Sequence, residues 1–137
     1  MLEPKMASED QGLGLAEMYR RRIVTEAVFV TARAHGVTIG EIMSKSRSKS
    51  AIVSARQLSM YLSHIVGQMS LGQVAAEFGR ERTTVGYSCH AVEDRRDSPL
   101  FDEQTERLEK ELRARLTSVL NRSVDEEELS RSMRAAF

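Results

Sequence analysis

The chain has no tryptophan, two prolines (Pro4 and Pro99) and one cysteine, Cys89. A lone cysteine cannot close an internal disulfide, so packing alone must hold the fold and a reducing cytoplasm is the expected setting. No proline stands between positions 4 and 99 to break a helix there. Aromatic residues make up 5% of the chain, whereas Ala, Leu, Met, Glu and Arg are plentiful, a mix that favours helix over sheet. No apolar run approaches the roughly 20 residues of a membrane span, and no signal-peptide pattern opens the chain. No membrane partner is expected. Also missing are a GxxxxGK[ST] phosphate loop, a paired-carboxylate cleft and any His/Cys cluster at metal-ligand spacing. The expectation is therefore a protein without cofactor, metal or catalytic activity. Cys89 and His90 are adjacent, so on a helix they point about 100° apart and cannot form a nucleophile–base pair. Cys89 reads instead as an inert buried thiol.

What is present is organised around residues 70–97, SLGQVAAEFGRERTTVGYSCHAVEDRRD. Ser70 is a good N-cap, and Leu71, Val74, Ala75 and Phe78 recur at helical spacing. Gly79 permits the left-handed conformation that ends a helix. Arg80-Glu81-Arg82 forms a polar corner, and Thr83-Thr84 opens a second helix. Val85, Ser88, Cys89 and Val92 share its inner face, while Thr83, Thr84, Tyr87 and His90 fall on the outer one. That outer face is uncharged and rich in hydrogen-bonding groups, with charged residues at its entrance. A helix that reads base edges needs such a face, and the unit reads as a helix-turn-helix.

With 137 residues and 41% apolar content, the chain suits one all-α, multi-helix domain with tails. Residues 1–14 are polar, carry no period and read as a disordered leader. A long helix is expected from Leu15 to Ala34, with Tyr19, Ile23, Ala27, Val30 and Ala34 as its apolar stripe. Arg20-Arg21-Arg22 fan out around it and read as a solvated face. Thr38 caps a short turn to Met43. The segment SKSRSKS, 44–50, has no hydrophobe; it reads as a basic loop laid on sugar-phosphate or reaching into a minor groove. The helix after it, Ala51 to Val66, buries Ala55, Leu58, Ser59, Leu62, Ile65 and Val66. Asp97-Ser98-Pro99 starts a further helix, with Phe101, Leu108, Leu112, Leu116, Val119 and Leu120 along one side. Gln104-Thr105 breaks that stripe, and Asn121-Arg122-Ser123 is expected to interrupt the helix. The expected organisation is a leader at 1–14, the helix-turn-helix domain at 15–98, a C-terminal helix at 99–122 and an acidic tail at 123–137.

Net charge is zero, but its distribution is uneven. Residues 45–96 hold eight Lys/Arg against four acids, whereas residues 97–137 hold seven against ten. Positive charge surrounds the two-helix unit and the acids are carried in the C-terminal part.

Residues 23–97 resemble the C-terminal DNA-binding domain of the bacterial replication initiator DnaA. Three segments carry the likeness: SKSRSK at 44–49, ARQLSMYL at 55–62 and SLGQVAAEFGRERTTV at 70–85. The initiators characteristically show RQ-x-AMYL followed by SLPEIG-x-x-FGGRDHTTV. By position, the resemblance implies phosphate and minor-groove contacts at Arg47, Lys49, Arg56, Gln57 and the helix start Ser70-Leu71-Gly72. It implies major-groove readers at Glu81, Arg82, Thr83 and Thr84; Arg80 and the outward Tyr87 complete the expected DNA-binding set. The chemistry agrees, since an acid accepts from a base amino group, an arginine donates to guanine or phosphate, and a threonine methyl packs on thymine.

This chain also departs from the family pattern. One glycine stands where the initiators have two, the Asp-His pair is Glu81-Arg82, and Leu71-Gly72 replaces the leucine-proline step. One residue is added between Lys49 and Arg56. An arginine at the His position is expected to change the preferred site. The likeness is to stand-alone relatives of the DNA-reading domain, without the ATPase module. The expected function is sequence-specific binding of double-stranded DNA that regulates replication initiation at DnaA-box-like sites or through the initiator's partners. DnaA or other initiation proteins would meet the C-terminal extension, and that helix also offers a homodimer surface. Two alternatives stand beside this one: a transcriptional regulator with its own sites, and a protein-interaction module that no longer binds DNA.

Overall fold

The computed structural model describes residues 14–45 and 49–136, and the side chains of all of these but Leu120, 123–130 and 134–136. Arg47, most of the expected leader and Phe137 lie outside the described residues, as do most side chains of the expected acidic tail. Among the described residues the fold is all-α, with no strand. Six helices follow one another: α1 (Leu15–His35), α2 (Ile39–Met43), α3 (Ser50–Ile65), α4 (Leu71–Phe78), α5 (Arg82–Arg95) and α6 (Pro99–Ala136).

The ends follow local chemistry. Gly36 closes α1 in the left-handed region, at φ 66°. Thr38 and Glu41 form a capping box on α2, and Ser70 and Gln73 form another on α4. Gly79 ends α4 at φ 62°, a conformation that costs a residue bearing a Cβ. Gly67, in the turn between α3 and α4, is needed for space instead. A Cβ there would run into Ile23 and the Ser63 carbonyl.

α3 lies at the centre, packed against α1, α2, α4 and α5. Met60, Tyr61, Leu62 and Ser63 are consecutive and all buried, as befits a helix surrounded by others. Ile65, expected inside, is 41% exposed because the surrounding helices no longer cover the last turn. Tyr19 and Ala34 also fall outside the core, near the two ends of α1. Ile23, Ala27, Val28 and Val30 carry its packing.

α6 returns across α1 and buries Leu108, Leu112 and Leu116. Thr105, where the apolar stripe breaks, is fully buried and donates its hydroxyl to the Phe101 carbonyl at 2.9 Å. The expected interruption at Asn121-Arg122-Ser123 is absent. The backbone stays helical to Ala136. Asn and Ser cost only about 0.5 kcal/mol each in a helix, and neither Gly nor Pro follows Pro99 to force a stop. Arg115 reaches from α6 to the buried Glu26 of α1 at 2.6 Å, and Arg33 pairs with Glu111 across the same seam.

Candidate nucleic-acid interface

α4 and α5 are joined by Gly79-Arg80-Glu81, and the inner face of α5 is buried at Val85, Ser88, Cys89 and Val92. Its outer residues Arg82, Thr83, Thr84, Tyr87 and His90 are exposed, as is Glu81 at the N-cap. Tyr87 is 73% exposed, a large aromatic with no place in the core. Cys89 is buried and its neighbour His90 is exposed. Burial pushes the Cys89 thiol up to about 11, with Glu93 adding to the effect. A thiol held protonated in this way is a poor nucleophile.

The start of α4 is exposed at Ser70 and Gly72, with Leu71 half-buried. The Ser70 hydroxyl accepts the Gln73 amide at 3.1 Å. Arg20 of α1 borders the same cleft, about 440 Å³ in volume, together with Glu17 and Glu77. Glu77 is the partner of Arg21, at 3.8 Å, and Glu26 the partner of Arg22, at 3.4 Å. Two of the three arginines in that run thus have acidic partners, one half-buried and one buried.

Along the basic loop, Lys45 and Lys49 are exposed, and Lys49 stands at the N-cap of α3. Gln57 is half-buried about two turns further on. Arg56 differs from its expected role. It is 9% exposed, and its guanidinium donates to the carbonyls of Ile42 (2.7 Å), Glu41 (3.0 Å) and Ser44 (3.0 Å). These carbonyls lie in the last turn of α2 and at its C-cap, so Arg56 acts as a C-terminal cap supplied by another helix. Burial, and secondarily Arg80, pulls its pKa below the ordinary arginine value. Arg80 also turns inward, donating to the Ser44 carbonyl at 2.6 Å.

At the far end of α5, Arg96 bonds Asp102 (2.6 Å) and Glu109 (3.0 Å) of α6 and the Tyr61 hydroxyl (3.0 Å) of α3. Tyr61 in turn donates to Glu93 at 2.9 Å. The C-terminal end of the exposed helix is thereby tied to two others. Nothing in the local sequence announces this network, since its members are up to 48 positions apart.

A family model described as the bacterial dnaA protein helix-turn-helix matches residues 24–92. The chain belongs to that family. Its matched span runs from within α1 to Val92, so it contains α4, the turn and α5 as far as its last buried residue. Among solved structures, a DNA replication initiation factor superposes with a TM-score of 0.68 at 28% identity, covering 84% of this chain and 37% of that one. A replication initiator DnaA bound to AMPPCP and single-stranded DNA gives a TM-score of 0.67 at 27% identity, covering 77% of this chain and 32% of that one. This chain spans about a third of the length of either. The DnaA-type helix-turn-helix here carries the exposed set Glu81, Arg82, Thr83, Thr84 and Tyr87.

Proposed function

We propose that this protein binds double-stranded DNA in a sequence-specific manner and regulates replication initiation at DnaA-box-like sites. The observation that carries the reading is the exposed N-terminal end of α5, within a helix-turn-helix of the DnaA family. Arg82, Thr83, Thr84 and Glu81 enter the major groove, and Tyr87 packs beside them. Lys49, Gln57 and the amides of Leu71 and Gly72 meet phosphates on either side. Arg47 contributes from the loop by its likeness to the family pattern. Arg82 at a histidine position selects a site related to the initiator's box but altered at the bases it reads. Occupying or sharing such sites makes the protein a competitor or helper of the initiator, and the C-terminal extension is the surface through which initiation proteins would meet it.

Fluorescence anisotropy tests this with three labelled duplexes: an initiator box, a one-base variant and a scrambled control, each at two salt concentrations. Selective binding to the box or its variant is the expected result. Equal binding to all three would remove sequence specificity, and no binding at moderate salt would remove DNA from the function.

A further inference from the structure

The basic loop and the helix-turn-helix meet at one backbone oxygen. The Ser44 carbonyl, where α2 ends and the loop begins, accepts Arg56 Nη2 at 3.0 Å and Arg80 Nη2 at 2.6 Å. Arg56 comes from α3 and Arg80 from the turn that aims α5. A second contact lies beside the first. The Lys45 stem crosses Gly79, so close that a Cβ at position 79 would sit 3.1 Å from Lys45 Cε. Two guanidinium groups held this near each other repel, and the end of α2 offsets that repulsion with three carbonyls. Arg80 Nε is buried without a hydrogen-bond partner, so the base of this guanidinium points into the protein and away from solvent. These observations do not suit a side chain waiting for phosphate. They suit a brace.

We propose that Arg80 is a positioning residue that locks the root of the basic loop, Ser44 and Lys45, to the turn of the helix-turn-helix, so that this root and the recognition helix meet DNA as one body. The proposal rests on the DNA-binding reading for its consequence, although the brace itself belongs to the free protein. Its effect on affinity runs through Lys49, at the N-cap of the helix whose Arg56 shares the Ser44 carbonyl with Arg80. A phosphate contact made by Arg80 itself would instead add to that of Lys49 independently.

Two measurements on the full chain separate these cases. The first is a double-mutant cycle by anisotropy with Arg80→Met, Lys49→Ala and the double variant, across a salt series. Methionine keeps the aliphatic stem and removes the donors. With Arg80 as a brace, Arg80→Met weakens binding about tenfold, and the double variant is no more than about twofold weaker than the weaker single one. Losses that multiply, with Arg80→Met and Lys49→Ala each lowering the salt slope by about one, would overturn the proposal and make Arg80 a phosphate contact. The second measurement is amide hydrogen exchange without DNA. Arg80→Met should speed exchange at Ser44, whose amide donates to the Glu41 carbonyl at 3.3 Å, at least about tenfold while Val85 to Val92 keep their protection. Unchanged exchange at the loop root would overturn the brace, whatever the binding data show. General loss of protection would mean that Arg80→Met does not fold, and Arg80→Lys would then replace it in both measurements. A lysine that restored affinity and salt slope while the loop root exchanged fast would also count against the proposal. Should the wild-type chain bind no duplex, the exchange arm still decides the brace and only the DNA-binding reading falls.

Discussion

Arg82 is the residue on which sequence preference should turn. It is exposed at the first position of α5, where a guanidinium can donate twice to a guanine edge. Arg82→Ala is expected to cost about 1–3 kcal/mol on the preferred duplex and to narrow the gap to the scrambled one. Lys49→Ala should weaken all duplexes about equally and reduce the salt slope by about one. Equal losses on every duplex for both variants would show that Arg82 touches only phosphate. Cys89 offers a prediction of another kind. Its thiol is raised to about 11, mainly by burial, so the folded state keeps the proton at a pH where the unfolded chain has lost it. The stabilisation is complete below about pH 9 and disappears as pH rises towards 11, an effect of order 1–2 kcal/mol. Urea denaturation of wild type and Cys89→Ala at pH 8 and 10.5 would reveal it, since only the wild type should lose this increment.

At the scale of elements, much of the outline was legible because helix ends are local events. Capping boxes at Thr38 and Ser70, and glycines at 36 and 79, need only neighbours in sequence. Ser70→Ala should therefore cost about 1 kcal/mol, seen as a lower urea midpoint at unchanged m-value. The tie between α5 and α6 was not legible in this way. Arg96 is adjacent to two other charged residues in the sequence, and only the chain's return path brings Tyr61, Asp102 and Glu109 to it. Replacing Arg96 by Met leaves the buried Glu109 carboxylate without its main cation, so a loss of about 2–4 kcal/mol is expected, discounted for the partial exposure of Asp102. A melting temperature within about 2 °C of wild type would mean that the network contributes little. The continuation of α6 past Asn121 was missed for a related reason. Asn-Arg-Ser resembles a stop on propensity alone, yet a helix already running needs a stronger interruption than this to end.

For the whole molecule, α6 is anchored by Leu108, Leu112 and Leu116, and among the described residues Leu116 is the last of the helix in the core. Removing residues 122–137 should therefore leave the melting temperature within a few degrees of wild type and leave box selectivity intact. A large drop in either would show that the end of α6 takes part in the fold or in the DNA surface. Amino-acid order alone determined the helical class, the six main helix starts, the helix-turn-helix and its outward face, because period and capping act over a few residues. It also carried the family likeness, which depends on residue type and spacing. What tertiary structure decided was the direction of long side chains. Arg56 and Arg82 look alike in sequence, basic residues near helix starts, but one caps the carbonyls of α2 and the other faces solvent. An arginine stem reaches far enough to choose among partners on several elements, and only the packed arrangement of those elements determines which partner lies within reach.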